Sequence, residues 1–145
     1  MERLLLGWLR KTQKGKRMKI QHSQEDYLEA ILVLGKRQPE VRSVDISVHL
    51  GYTKASVSRA MKQLEKDGFV RMDTDKHIHL TKAGHAKAED VYEKHSFFKE
   101  MLKSVGVAEP TASEDACKIE HAISDESFQA VKAAFSNSTT DAANK

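Results

Sequence analysis

Cysteine is nearly missing: the 145 residues contain one, Cys117. No disulfide can close within the chain, which excludes the stapled scaffold of small secreted proteins and predicts a reduced thiol in a cytoplasmic protein. Long apolar runs are missing too. The run LLLGWL at residues 4–9 is too short to span a bilayer, and its basic residues mostly come after it, the wrong order for a secretory signal. Neither charge sign dominates: 24 Lys and Arg stand against 21 Asp and Glu, so a polyanionic partner is permitted but not demanded. There is no internal repeat. A chain of 145 residues makes one or at most two small domains, which suits a regulatory or binding protein better than an enzyme with a separate cofactor domain.

Helical periodicity, by contrast, is abundant. Residues 1–17 carry six Lys or Arg against one Glu and read either as a basic arm or as an extension ahead of a second start at Met18. No cap signal joins them to the residues after Met18, so the second reading is favoured. Ser23 to Asp26 resembles a capping box, and Tyr27, Leu28, Ile31 and Leu32 make a stripe that predicts a helix over 24–36, ending near Gly35. Asp26 and Glu29 lie one turn apart beside that stripe. Ser43 is placed to cap a short helix through Leu50, Gly51 to break it, and Thr53 to cap another running to about Asp67. Strands are predicted over 69–72 and 77–80, around the polar loop 73–76. Next comes a long helix with the stripe Ala88, Val91, His95, Phe98, Leu102 and Val105, ending at Gly106. Pro110, Thr111 and Glu114 open a further helix, Ser124 to Glu126 cap a last one, and the tail 137–145, lacking apolar residues, is expected to be disordered.

Helix, tight turn, helix and two-stranded wing, in that order, predict a DNA-binding motif. In its second helix Val57, Ala60, Met61 and Leu64 face inward, leaving Lys54, Ser56, Ser58, Arg59 and Lys62 outward. Short side chains let such a helix enter the roughly 12 Å major groove, an Arg can reach a guanine, and Lys suits phosphates. The plain alternative is a solvated helix face. His77 and His79 alternate onto one strand face, but no third metal ligand is near them in sequence, so they read as exposed wing residues. His49 and His85 are likewise unaccompanied.

The stretch CKIEH places Cys117, Glu120 and His121 at i, i+3 and i+4, hence on one helix face. Thiol, carboxylate and imidazole together make a candidate divalent-metal site, against the plain reading of chance neighbours on a polar helix. His95, on an otherwise apolar stripe, is either a satisfied core histidine or another ligand.

Residues 18 to about 136 resemble the diphtheria-toxin-repressor family of metal-dependent transcriptional regulators, particularly its short manganese-regulator branch. The resemblance rests on EDYLEAI, VDISVHLGYTKASVSRAMKQLEKDGFV, LTKAGHA, VYEKHSFFKEML and CKIEHAIS in order. It implies a mainly α fold, with a winged helix-turn-helix DNA-binding domain followed by a helical metal-binding and dimerization domain. It also implies a homodimer on double-stranded operator DNA and a metal held by Asp26, Glu29, His95, Cys117, Glu120 and His121. The manganese branch usually has Glu where this chain has Cys117, and the iron branch has Met where this chain has Asp26, so the set is a hybrid. Lys99 and Ser113 stand where the iron branch places ancillary ligands. Carboxylates suit Mn²⁺ and a thiolate favours Fe²⁺, Co²⁺ or Zn²⁺. Mn²⁺ or Fe²⁺ is the expected physiological ion, with Zn²⁺ or Co²⁺ able to occupy the purified protein.

The segments so defined are an extension at 1–17, a winged-helix domain at 18–84, a metal-binding and dimerization domain at 85–136 and a tail at 137–145, without the third domain of longer relatives. The expected function is a metal-activated repressor of metal-homeostasis genes, with no membrane association. Two alternatives stand beside it: a winged-helix regulator answering to an organic ligand or protein partner, and a small metalloenzyme, for which no nucleophile or substrate pocket is visible.

Overall fold

The computed structural model describes residues 24–143, with side chains described as far as 138. The basic segment 1–17, Met18 and the Ser23 cap lie outside the described residues. The chain divides into two compact units between Glu89 and Asp90, whereas the sequence segmentation changes at 84/85.

In the N-terminal unit, helix α1 covers residues 24–37 and buries Tyr27, Leu28, Ala30, Ile31, Leu32 and Leu34. Helix α2 (Ser43–Leu50) starts at Ser43 instead of being capped by it: Arg42 holds the cap position, and the Asp45 carboxylate accepts its backbone N–H at 2.8 Å. An acid three residues into the helix thus does what a hydroxyl at the cap was expected to do. Gly51 ends α2 at φ 71, in the left-handed region that glycine enters without steric cost. Thr53 caps α3 (Lys54–Lys66), its Oγ1 accepting from Ser56 N–H at 3.2 Å. Val57, Met61 and Leu64 of α3 are buried, as is Ile46 of α2. Burial stabilises each by about 1.5–3 kcal/mol relative to exposure.

Strands β1 (Val70–Met72) and β2 (Ile78–Leu80) pair antiparallel with Val70 opposite Leu80, Arg71 opposite His79 and Met72 opposite Ile78. Each is about a residue shorter than predicted. Val70 and Ile78 point into the core, and Ile78 N–H also reaches the Val41 carbonyl at 2.7 Å, pinning the wing to the segment before α2. Thr81 joins wing to helix: its Oγ1 donates to the Gly68 carbonyl at 2.6 Å and accepts Gly84 N–H at 3.1 Å, capping the start of α4 (Lys82–Ser104). Gly84 belongs there because a Cβ would lie 1.9 Å from the Phe69 carbonyl oxygen.

The C-terminal unit holds the rest of α4, then α5 (Glu109–Ala122) and α6 (Asp125–Ala143). Its core is Phe98, Ala116 and Phe128, with Phe97, Met101, Ile119 and Ile123 packed against it. Phe97 meets Phe98, Phe128 and Phe135 edge to face at centroid distances of 5.2, 5.6 and 5.7 Å. The predicted stripe on α4 holds at Ala88, Val91 and Phe98 and fails at Val105, which is 73% exposed. The helix has ended at Ser104, and Gly106 (φ 98) turns the chain. Helix α5 begins at Glu109 with Ala108 at the cap and Pro110 in its first turn, so Thr111 is not its cap. Proline is tolerated there because first-turn N–H groups have no helical partner anyway. Ser124 does cap α6, accepting Ser127 N–H at 3.1 Å. Residues 137–143, expected to be disordered, continue α6. Extending a helix that already exists avoids the cost of nucleation, so these residues need only propagate it.

Candidate metal centre and nucleic-acid interface

Three residues of α5 are buried, Ala112, Ala116 and Glu120, spaced four apart along one stripe. Two small apolar residues are therefore followed, at the next inward position, by a carboxylate. The Glu120 side chain is wholly buried. Such burial costs several kcal/mol unless the charge is compensated. His95 Nδ1, from α4, lies 3.0 Å from Glu120 Oε2, and His121 Nε2 lies 3.4 Å from Oε1. Close as they are, neither carboxylate oxygen receives an aligned hydrogen bond among the described residues. Donor atoms of Cys117, Glu120 and His121 lie within 4.8 Å of one another.

That arrangement is poor for hydrogen bonding and good for a shared cation. Adjacent ligands on an ion with bonds of about 2.1 Å sit about 3.0 Å apart at right angles and about 3.4 Å apart in a tetrahedron. Four of the six residues singled out for metal, His95, Cys117, Glu120 and His121, thus converge within the C-terminal unit. Asp26 and Glu29 belong to the N-terminal unit, one turn apart on α1 and each partly buried.

Buried Lys94 escaped the sequence reading. It is 7% exposed, its ammonium 3.2 Å from Asp90 and 2.5 Å from Asp125 and over the Phe128 ring at 5.9 Å. Burial alone would lower its pKa, but the hydrogen bonds to Asp125 and Asp90 outweigh it and hold the value above the usual lysine range. The acids four residues before it and at the start of α6 were the available signal. Lys99 pairs with Glu109 at 3.2 Å; that contact, with Lys103 beside it, keeps the Glu109 carboxyl below its ordinary pKa.

On α3, Lys54, Ser58, Arg59 and Lys62 are exposed. Ser56 differs: half-buried, it accepts a hydrogen bond from Thr53 Oγ1 at 2.9 Å and belongs to the cap. The wing histidines also depart from expectation. The His77 side chain is only 12% exposed, set between Glu40 and Asp73, and His79 Nε2 is 2.9 Å from Asp73 Oδ2. The His79 hydrogen bond, followed by the His77 backbone N–H, lowers the Asp73 pKa to about 2.

A winged helix-turn-helix followed by a helical unit with a buried carboxylate between two imidazoles defines a DNA-binding regulator of the metal-dependent class. Residues 19–78 match the iron-dependent repressor N-terminal DNA-binding domain, and residues 81–145 match the iron-dependent repressor metal-binding and dimerisation domain. The chain is 34% identical over 110 residues to an HTH-type transcriptional regulator of Methanocaldococcus jannaschii, covering 74% of this chain and 88% of that one. It is 31% identical over 108 residues to the transcriptional regulator MntR of Escherichia coli, covering 74% and 70%. The solved manganese regulator SloR shares the fold at a TM-score of 0.69 and 24% identity, over 78% of this chain and 53%, about half, of that one. The chain belongs to the diphtheria-toxin-repressor family of metal-dependent transcriptional repressors. Its relatives are regulators and not enzymes, and no described helix is long and apolar enough to cross a membrane.

Proposed function

We propose that this chain is a metal-activated repressor of metal-homeostasis genes, acting in the cytoplasm as a homodimer on operator DNA, with Fe²⁺ or Mn²⁺ as its physiological ion. The observation that carries the reading is Glu120, a fully buried carboxylate with two imidazole nitrogens 3.0 and 3.4 Å away and no aligned hydrogen bond among the described residues. His95, Cys117, Glu120 and His121 hold the ion from the C-terminal unit, and Asp26 and Glu29 are the ligands of the N-terminal unit. A bound divalent ion would supply positive charge beside the buried Glu120 carboxylate and a soft-accepting partner for the Cys117 sulfur. Arg59 reads a base edge, Lys54 and Lys62 hold phosphates, and Ser58, like Ser56 of the cap, contacts either backbone or base edges. In this reading metal binding and DNA binding are interdependent, a coupling typically worth about 1–3 kcal/mol.

The test is a fluorescence titration of operator DNA, selected from random duplexes in the presence of Mn²⁺, against Mn²⁺, Co²⁺, Zn²⁺ and anaerobic Fe²⁺. Metal should tighten operator binding by about 5- to 150-fold. Equal affinity with every metal and with chelator would dismiss the reading.

A further inference from the structure

The wing holds a second group of donors that the first centre does not use. Asp73, Asp75 and His77 occupy alternate positions of the loop between β1 and β2. Asp73 Oδ1 accepts the backbone N–H of Asp75 and of His77, both at 2.9 Å, and Lys76 takes a left-handed φ of 64 as the chain doubles back. The same turn directs Asp73 Oδ2 toward two imidazoles, with His79 Nε2 at 2.9 Å and His77 Nδ1 at 3.4 Å. One donor atom from each of Asp73, Asp75 and His77 lies within 4.8 Å of the others. The third ligand that sequence proximity did not supply to His77 and His79 is brought to them by the hairpin.

We propose that this wing loop is a second divalent-metal site, formed by Asp73, Asp75 and His77 with His79 as a fourth donor, and suited to a borderline ion such as Zn²⁺ or Co²⁺. Carboxylates alone would accept Mg²⁺ or Ca²⁺ as well; the imidazoles narrow the choice. The far side of His77 faces both a carboxylate and a guanidinium. Its Nε2 lies 3.3 Å from Glu40 Oε2, where a ligating imidazole commonly donates its second N–H to a carboxylate that orients the ring. The Arg42 guanidinium, 3.1 Å from the same nitrogen, must yield when Nε2 carries that proton. An ion here would also offset the Asp73 and Asp75 charges on a unit that approaches a polyanion. The site is independent of the Glu120 centre and of the function proposed for it.

The test uses the full chain and Co²⁺, with the imidazole resonances read by NMR and bound ions counted by equilibrium dialysis. In wild type Co²⁺ should broaden the rings of His77 and His79 as well as those of the Glu120 centre, and in Glu120→Gln/His121→Gln the wing rings should still broaden. Asp73→Asn keeps an oxygen for the two backbone N–H groups and should lose one Co²⁺ per subunit while the sulfur charge-transfer band of Cys117 persists. His79→Gln, on a partly exposed strand position, is the second variant and should weaken the same ion. Wing resonances untouched by excess Co²⁺, or an ion count unchanged in both wing variants, would overturn the proposal whatever happens at Cys117.

Discussion

Cys117 stands where the resemblance to the manganese-regulator branch implies a glutamate. A thiolate offers one soft donor where a glutamate offers two hard ones, so Cys117→Glu is expected to move preference from Fe²⁺, Co²⁺ or Zn²⁺ toward Mn²⁺. Absolute affinities follow the metal series in any case, so the informative quantity is the change in ranking. The wild-type Co²⁺ complex should absorb through sulfur-to-metal charge transfer and the variant should not, because the chain has one cysteine. Identical spectra and an unchanged ranking would reduce Cys117 to a half-buried helix residue. His121→Ala, by contrast, removes an imidazole whose side chain is only 5% exposed and should weaken every metal.

Among the secondary-structure elements, the start of α4 shows how one missing side chain sets a junction. Alanine has the better helix propensity by about 0.8–1.0 kcal/mol. At Gly84 that gain is opposed by a Cβ 1.9 Å from the Phe69 carbonyl, a backbone atom that cannot rotate away. Overpacking of this kind typically costs about 1–3 kcal/mol, so Gly84→Ala should destabilise the wing and the first turns of α4 on balance. Gly35 sits in α1 with nothing within 4 Å of its would-be Cβ. Gly35→Ala should therefore be neutral or stabilising by up to about 1 kcal/mol. Urea unfolding of the two variants side by side settles it: equal midpoints would mean that the close approach at Phe69 relaxes at no cost.

For the whole molecule the proposed switch is a statement about linkage. If metal tightens operator binding by some factor, operator must tighten metal binding by the same factor, since both paths close one thermodynamic cycle. Calorimetry of Mn²⁺ binding with and without saturating operator should reproduce the ratio found in the DNA titration. A homodimer, which the matched dimerisation domain supports, further predicts a near-palindromic operator with half-sites about one helical turn or a multiple apart. Unequal factors, or a monomer with metal and DNA both present, would break the scheme.

The sequence by itself determined the order and type of the elements, because helical and strand periodicities are local and their caps, Thr53, Gly51 and Ser124, act within a turn. It also determined that Cys117, Glu120 and His121 share a helix face, since that is a matter of spacing on one helix. Resemblance, not spacing, is what joined His95 to them, and its 3.0 Å approach to Glu120 is a packing result. Only the tertiary structure decided that Glu120 is buried to the last atom, that Lys94 is held between Asp90 and Asp125, and that Asp73 meets two histidines it precedes by four and six residues. It also continued α6 through 137–143, where composition suggested no structure. The physical reason is common to Glu120, Lys94 and Asp73. Burial and the convergence of charges depend on which elements pack together, and the free energy of a buried carboxylate or ammonium is set by neighbours that no local pattern encodes.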